Sequence, residues 1–582
     1  MRFVLAIISF VLAAVMIGTG IAQRTIFAEP DQAVLSTSVE TDAAVTVIDG
    51  AALNAYQGNQ SLTLSGTKSV FAAYGRTTDV IAWVGEATYN EIGFDPETME
   101  LTNDLVRGTE SEVPNPAGSD LWLNEYERDG ELTLRVSVPT DFSFVVISDG
   151  VAPAPGDVRV AWPLDNATPF SGPLIVGGAV ALLLGLAFLL WAITHMRRSR
   201  GPRRKQLKMP KVPKKPRYKT ARTPLEKPPV GRRALGRGMA AAPLVLVGIL
   251  VLSGCTSGLP GSGGASVTPT PSASATAANA KAAPPAVTVS QVERIIESIS
   301  QTTSDADAAK DPALLATRFG GAALEVRTAN YAITTADPNL APLPAIPAGP
   351  VKLTLPQRTD TWPRTVFAVI QNDTDETIPS IALFLEQADP RSQYRVLYTI
   401  TLEPSQKIPD VAQADVGADR LLPDTPVLST TPTEIALAYA DILAKDVDSE
   451  SYADFEAEGD TLRVAVGPTY KASVRAGLPT TASVAFASAI GPAEAISLAT
   501  NDAGALIAVN LNETTTVAPI EAGAAVNTTG QVKALSGLAV SSKGVIATYG
   551  FQLLFYVPPT GGDGKIVLLG YTQGLVKAGE IG

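Results

Sequence analysis

Ser290-Gln291-Val292-Glu293 opens the stretch whose reading decides the fold of the C-terminal half. A serine followed at the third position by glutamate is a capping box, and Val292, Ile295, Ile296 and Ile299 then recur on one helical face. The pattern returns at Thr431-Pro432-Thr433-Glu434, with proline at the first helical position and Ile435, Tyr439, Ile442 and Leu443 on one face. Each helix is expected to run into an acidic loop, Asp305, Asp307 and Asp311 in the first copy, Asp446, Asp448 and Glu450 in the second. A tyrosine follows each box, Tyr331 and Tyr470. Strand-like apolar runs then close each unit: 366–370, 381–385 and 394–398 in one, 505–509, 550–556 and 565–569 in the other. Helices first and an antiparallel sheet after is an α+β order, so two modules are expected, 287–420 and 421–582.

Upstream of the first module, residues 256–286 are rich in Ser, Gly, Ala, Thr and Pro without apolar period and read as a flexible spacer. Before the spacer stands Leu252-Ser253-Gly254-Cys255, preceded by an apolar run, 239–252, and by Arg232, Arg233 and Arg237. Positive flank, short apolar segment, small residues and then cysteine closely resembles a bacterial lipobox, with Cys255 as the lipidated residue, inside the chain instead of at its start. At about 1.5 Å per residue the run spans only about 21 Å, short of a bilayer core of about 30 Å, which suits a signal segment better than a stable anchor. The plainer reading is a short membrane helix ending in a buried cysteine.

Of the 45 Lys and Arg, 17 lie between Arg197 and Arg237 with a single acid, Glu226, leaving an acidic remainder. This linker, 195–238, also carries many prolines, which forbid a helix and favour an extended tether. It is expected on the cytoplasmic side, where it would meet anionic lipid headgroups; nucleic acid is not expected as a partner. The preceding run 173–194 is long enough to span a bilayer, and so is 3–22 near the start, an anchor (1–23) whose cleavage near Ala22 stays open. Between them, 24–170 reads as an all-β domain. Leu132, Leu134, Val136 and Val138 alternate with Thr133, Arg135 and Ser137 after an Asp129-Gly130 turn, and 45–48, 62–64, 79–84 and 144–147 look like further short strands.

The expectation is therefore a multidomain membrane protein: two transmembrane helices, an all-β extracytoplasmic domain, a cytoplasmic basic linker, the apolar segment 239–255 and an extracytoplasmic α+β region. The element order of residues 287–582 resembles, as a tandem pair, the cone-shaped fold of the nuclear-transport-factor-2-like superfamily. The whole layout also looks like that of uncharacterised actinobacterial membrane-anchored envelope proteins, a resemblance that implies a location and transfers no activity.

One cysteine allows no disulfide within the chain, and the only histidine, His195, lies beside the basic linker, so no metal site and no cofactor are expected. Ser-His-Asp and Cys-His catalysis are thereby excluded outside the membrane. Ser65-Gly66-Thr67-Lys68 matches the S-x-x-K of penicillin-binding enzymes, but it lies in a β-like stretch where that motif needs a helix start. Glu86, Glu91, Asp120, Glu125 and Glu127 lie near Trp83 and Trp122, a composition that suits glycan chemistry or, more plainly, an acidic surface over core tryptophans. Gly261-Ser-Gly-Gly-Ala precedes no helix at phosphate-loop distance. Two functions follow. The preferred one is a non-enzymatic binding or scaffolding protein anchored by membrane lipid and facing cell-wall glycan or another envelope protein. The alternative is a carboxylate-dependent enzyme acting on envelope glycans.

Overall fold

Leu132, Leu134 and Val136 are buried and Thr133 and Arg135 exposed along the strand Leu132–Val136, the alternation their sequence carries, in the computed structural model of the chain. The structure describes residues 1–28, 30–39, 42–164, 168–199, 283–372, 375 and 377–582. Cys255, the apolar segment 239–255, nearly all of the basic linker and the spacer up to residue 282 lie outside the described residues. The described chain forms two compact units: Met1–Ile26 with the helix Ser171–Ser199, and the residues of 27–168 with those of 283–582.

The first unit is a pair of helices, Arg2–Thr25 and Ser171–Ser199, both long and apolar enough to cross a membrane. They run antiparallel. At one end the Arg2 guanidinium lies 4.3 Å from the Trp191 ring centroid; at the other Arg24 Nε donates to Ser171 Oγ over 3.1 Å. Glycines bring the backbones close, for a Cβ on Gly20 would come within 2.8 Å of Ile175 and one on Gly178 within 2.6 Å of Ile17.

In the second unit, residues 27–168 form two sheets. One has the order Gln32–Ser38, Asp157–Pro163, Gln60–Ser65, Leu132–Val136, all antiparallel. The other runs Glu100–Val106, Tyr89–Asp95, Val45–Ile48, Phe142–Ile147, Ser69–Arg76, Asn124–Asp129, with Val45–Ile48 and Tyr89–Asp95 parallel. Leu62, Val160 and Trp162 of the first pack against Phe144 and Val146 of the second, the arrangement of a sandwich. The opposite face of the six-stranded sheet is buried as well, with Val45, Val47, Val145 and Ile147 under Val80, Trp83 and Trp122.

That cover corrects the all-β expectation, because 79–84 is not a strand. It belongs to a helix, Thr77–Val84, stopped at Gly85, where φ is +60°. A short apolar run is consistent with either element, and here the Arg76–Asp79 pair at i, i+3 and the following glycine decide for the helix.

The C-terminal residues build one nine-stranded antiparallel sheet under two sets of helices. Its order is Val351–Pro356, Arg364–Ile370, Ile381–Gln387, Arg395–Leu402, Val567–Glu580, Val545–Val557, Ala505–Pro519, Ala482–Ile490, with Ile496–Ala499 also paired to Ala505–Pro519. The two halves join through Thr401–Tyr571 and Leu402–Gly570. Val366, Ala368 and Ile370 face the helices Val289–Ala309, Pro312–Ala316 and Gly321–Ala336. The alternate residues Phe367 and Val369 face Leu506, Ala508 and Leu554 of the other half, so the sheet folds over a shared inner core. Ile507, Val509, Leu553 and Phe555 turn outward against the helix Ile435–Lys445. Burial on both faces explains why these strands read as unbroken apolar runs.

The helix ends differ from the sequence reading. The first cap is Thr288 with Gln291, two residues earlier than Ser290 with Glu293. Asp305 and Asp307 lie within that helix, which continues to Ala309, and Asp311 caps the next one. Thr431 Oγ1 does bond Glu434, just ahead of the helix that starts at Ile435.

Candidate functional site

Of the acids beside the sandwich tryptophans, Asp120 and Glu125 line one small cavity of about 190 Å³ together with Arg294 and Arg318, and Glu86, Glu91 and Glu127 do not reach it. Trp83 and Trp122 are both core residues in edge contact, ring centroids 5.4 Å apart. Asp120 is buried and held by Arg318, whose Nη1 and Nη2 both donate to its carboxylate, and by the backbone N–H of Tyr394 at 2.8 Å. Glu125 accepts from the Gly118 N–H within its own loop. Glu86 and Glu127 stay exposed. Ser65 ends a strand and Lys68 lies in the following turn, so S-x-x-K has no helix to present its serine. Among the described residues no His, Cys, Asp and Glu side chains cluster as a metal ion requires.

Geometry points instead to a cavity of about 430 Å³ in the C-terminal region, within the size range of small-ligand sites. Its floor is formed by the long strands Ala505–Pro519, Val545–Val557 and Val567–Glu580. One wall is the helix Gly321–Ala336, contributing Val326, Asn330 and Ile333. That helix comes close because Gly574 faces it: a Cβ there would meet Val326 Cγ1 at 2.5 Å. The other wall is the helix Pro468–Gly477 with the strand Ala482–Ile490, contributing Tyr470, Val474 and Phe486.

The lining combines rings with uncharged polar groups. Tyr470, Phe486 and Tyr549 offer ring surface, and Gln531 and Gln573 stand exposed at the rim. The Tyr549 hydroxyl is raised above its usual pKa by burial and then by Tyr470, so it stays a neutral donor at physiological pH. One carboxylate lines the cavity, Glu513, and it is already bound. Lys471 Nζ donates to Glu513 Oε2 over 2.5 Å and to the Leu443 carbonyl over 3.0 Å, and Ser488 Oγ donates to Glu513 over 3.3 Å. Lys471 is only 3% exposed, and its contact with the last turn of the helix Ile435–Lys445 places positive charge at a negative helix end. The ammonium also lies 5.6 Å from the Phe486 ring centroid, with Arg475 at 5.3 Å.

Of the residues singled out in the sequence, Tyr470 lies at this cavity, and Tyr331 does not line it. Tyr331 instead donates to Asp307, which Arg327 grips with two bonds of 2.7 Å, a staple between two helices. Burial, then the bond to Asp307, raises the Tyr331 pKa. A comparable trio in the second half joins Tyr439 and Arg463 to Asp460. The acids 446, 448 and 450 do not line the cavity. Lys471 and Glu513 escaped notice because each reads as an ordinary surface charge. The one hint was Glu513 as the lone charge in the strand Ala505–Pro519.

The sequence model of the family described as Domain of unknown function (DUF8094) matches residues 283–580. No curated protein and no solved structure matches the chain.

Proposed function

For a chain that belongs to the DUF8094 family, we propose the function of a membrane-anchored, extracytoplasmic binding protein whose C-terminal cavity takes an uncharged glycan of the cell envelope. Support for the anchor comes from the antiparallel apolar helices and from Arg197 and Arg198 at the end of the second, since a basic flank favours the cytoplasmic side. Residues 27–168 then lie outside. Because 283–582 share one compact unit with them, the chain crosses back an odd number of times between residues 199 and 283. The apolar run 239–252 is the candidate for that crossing, Cys255 for lipid attachment outside, and the basic linker for anionic headgroups inside.

The observation that carries the binding reading is the state of Glu513. Glycoside hydrolysis of either stereochemical kind uses two carboxyl groups across the scissile bond. Here the cavity's one carboxylate is neutralised by a buried lysine, and among the described residues no second one lines it. Rings flanked by amides suit a sugar, whose C–H face lies on an aromatic surface while its hydroxyls meet amide groups. Titration calorimetry of the full chain in detergent with the trisaccharide of N-acetylglucosamine tests this. Saturable binding that weakens about tenfold in Tyr470→Ala, roughly 1.4 kcal/mol, is expected. No binding to wild type, or unchanged binding in the variant, refutes the reading.

A further inference from the structure

The junction between the sandwich and the C-terminal region has the chemistry of a permanent interface. Arg364, 0% exposed, donates from Nη2 to Asp79 Oδ1 over 2.6 Å, and the other oxygen of Asp79 takes Arg76 Nε over 3.1 Å. The Arg364 guanidinium stacks 3.7 Å from the Trp362 ring centroid, and Trp362 packs into the Trp83–Trp122 core of the sandwich. A second buried pair, Arg318–Asp120, lies beside it.

Around these pairs the C-terminal side chains bind sandwich backbone. Gln291 Nε2 donates to the Leu121 carbonyl over 3.0 Å, and Arg294 donates to the Trp122 carbonyl. Arg391 caps the helix Thr77–Val84, donating to the carbonyls of Trp83 and Val84, each over 2.8 Å. Separation would expose the tryptophan core and break both ion pairs together with the bonds to sandwich backbone.

We propose that the sandwich is a docking partner that keeps residues 283–582 bound to the anchored N-terminal part after the connecting segment is cut, so that the processed protein is a two-chain particle. Its occurrence in the cell rests on reading Leu252–Cys255 as a processing site. The association rests on the interface alone. A lipid on Cys255 and the sandwich would then be two independent anchors for the same region, which answers the weakness of a single acyl chain.

The test uses the full chain in detergent micelles, with a protease recognition sequence inserted between Thr276 and Ala277 and an affinity tag at the C-terminus. After cutting, the piece from 277 onward carries neither apolar helix nor Cys255, so it stays with the micelle-bound piece only through the interface. Expected is joint elution in gel filtration at about 100 nM protein, and in the Arg318→Met/Arg364→Met variant a dissociation constant at least 100-fold higher. Separate elution of the pieces from cut wild type overturns the proposal, whatever the variant does. Wild-type retention in the variant overturns the assignment to these ion pairs. Circular dichroism of the uncut variant shows whether its release reflects the interface or loss of fold. Neither membrane topology nor the cavity ligand enters the measurement, so failure here leaves the binding reading untouched.

Discussion

Arg364 and Asp79, 285 residues apart in the chain, meet at 2.6 Å with both side chains almost wholly removed from solvent. A charge pair at such a place contributes less through its attraction than it costs when half of it is removed, because the group left behind stays buried with its bonds unmade. Asp79 keeps the Arg76 guanidinium on its other oxygen, so Arg364→Met leaves one buried carboxylate oxygen unsatisfied and should lower the stability of the 27–168/283–582 unit by about 1–3 kcal/mol. Adding Asp79→Leu should recover a large part of that loss. Chemical denaturation of the two single variants and the double variant reads the coupling directly, and strictly additive losses would mean the pair is not coupled.

Lys471 and Glu513 form the corresponding test at the cavity. Lys471→Met should destabilise the C-terminal region by about 3–5 kcal/mol, since Glu513 then sits buried without its cation. Lys471→Met with Glu513→Leu should be markedly less damaging than Lys471→Met alone. Tyr470→Ala should leave the melting temperature within a degree or two, because Tyr470 is 45% exposed and spans no core. A melt of the three variants separates groups that hold the cavity open from groups that face its contents.

These relationships mark where sequence reading reached and where it stopped. Val292, Ile295, Ile296 and Ile299 were legible because helical spacing is local, and all four are buried. The runs at 366–370 and 505–509 were legible because burial on both sheet faces leaves no polar alternation. The run 79–84 was misread because a few apolar residues fit a strand as well as a helix, and the deciding cap at Gly85 lies just outside it. The strand Ala482–Ile490 carries Val484, Phe486 and Ile490 among six Ala and Ser residues, too few large residues to mark a strand by composition. Nothing local pairs Asp120 with Arg318 or Lys471 with Glu513, since each partner arrives on a different element. The cavity was invisible for the same reason: its walls come from both halves of the C-terminal region.

Tyr556 gives a pH signature. Its hydroxyl donates to Asp502 over 2.6 Å; burial, and then that bond, pushes its pKa from 10.0 up to about 12. For Asp502, burial acts to raise the pKa, but bonds from Thr500, Tyr556 and the Gly504 N–H outweigh it and hold the carboxyl below its ordinary 3.8. A tyrosine whose folded pKa is raised contributes fully below 10 and loses that contribution as pH rises towards 12. A carboxylate whose folded pKa is lowered contributes fully above 3.8 and loses it as pH falls towards the folded value. The melting-temperature gap between wild type and Tyr556→Phe should thus be level from about pH 5 to 9 and narrow on both sides. A gap that drifts steadily through neutral pH would contradict it.

Topology is the prediction with the widest reach, and the sequence supplies its tool. Cys255 is the only cysteine, so Cys255→Ala is a background in which any introduced thiol reports alone. Val151 in the sandwich and Val464 in the helix Thr461–Val466 are 61% and 81% exposed, and Lys214 lies in the basic linker. If residues 27–168 and 283–582 lie on the outer side, a membrane-impermeant maleimide labels Val151→Cys and Val464→Cys in intact spheroplasts. Lys214→Cys should react only after lysis. Labelling of Lys214→Cys together with the other two in intact spheroplasts would mean that the two helices do not separate the linker from the compact unit, and their assignment as spans would fall. The same background reports processing. Wild type cut before Cys255 runs as two fragments and takes up labelled fatty acid on the C-terminal one, whereas Cys255→Ala runs as one chain. Full-length migration of both, with no lipid incorporated, would overturn the lipobox reading and leave 239–252 to be tested as an uncleaved crossing.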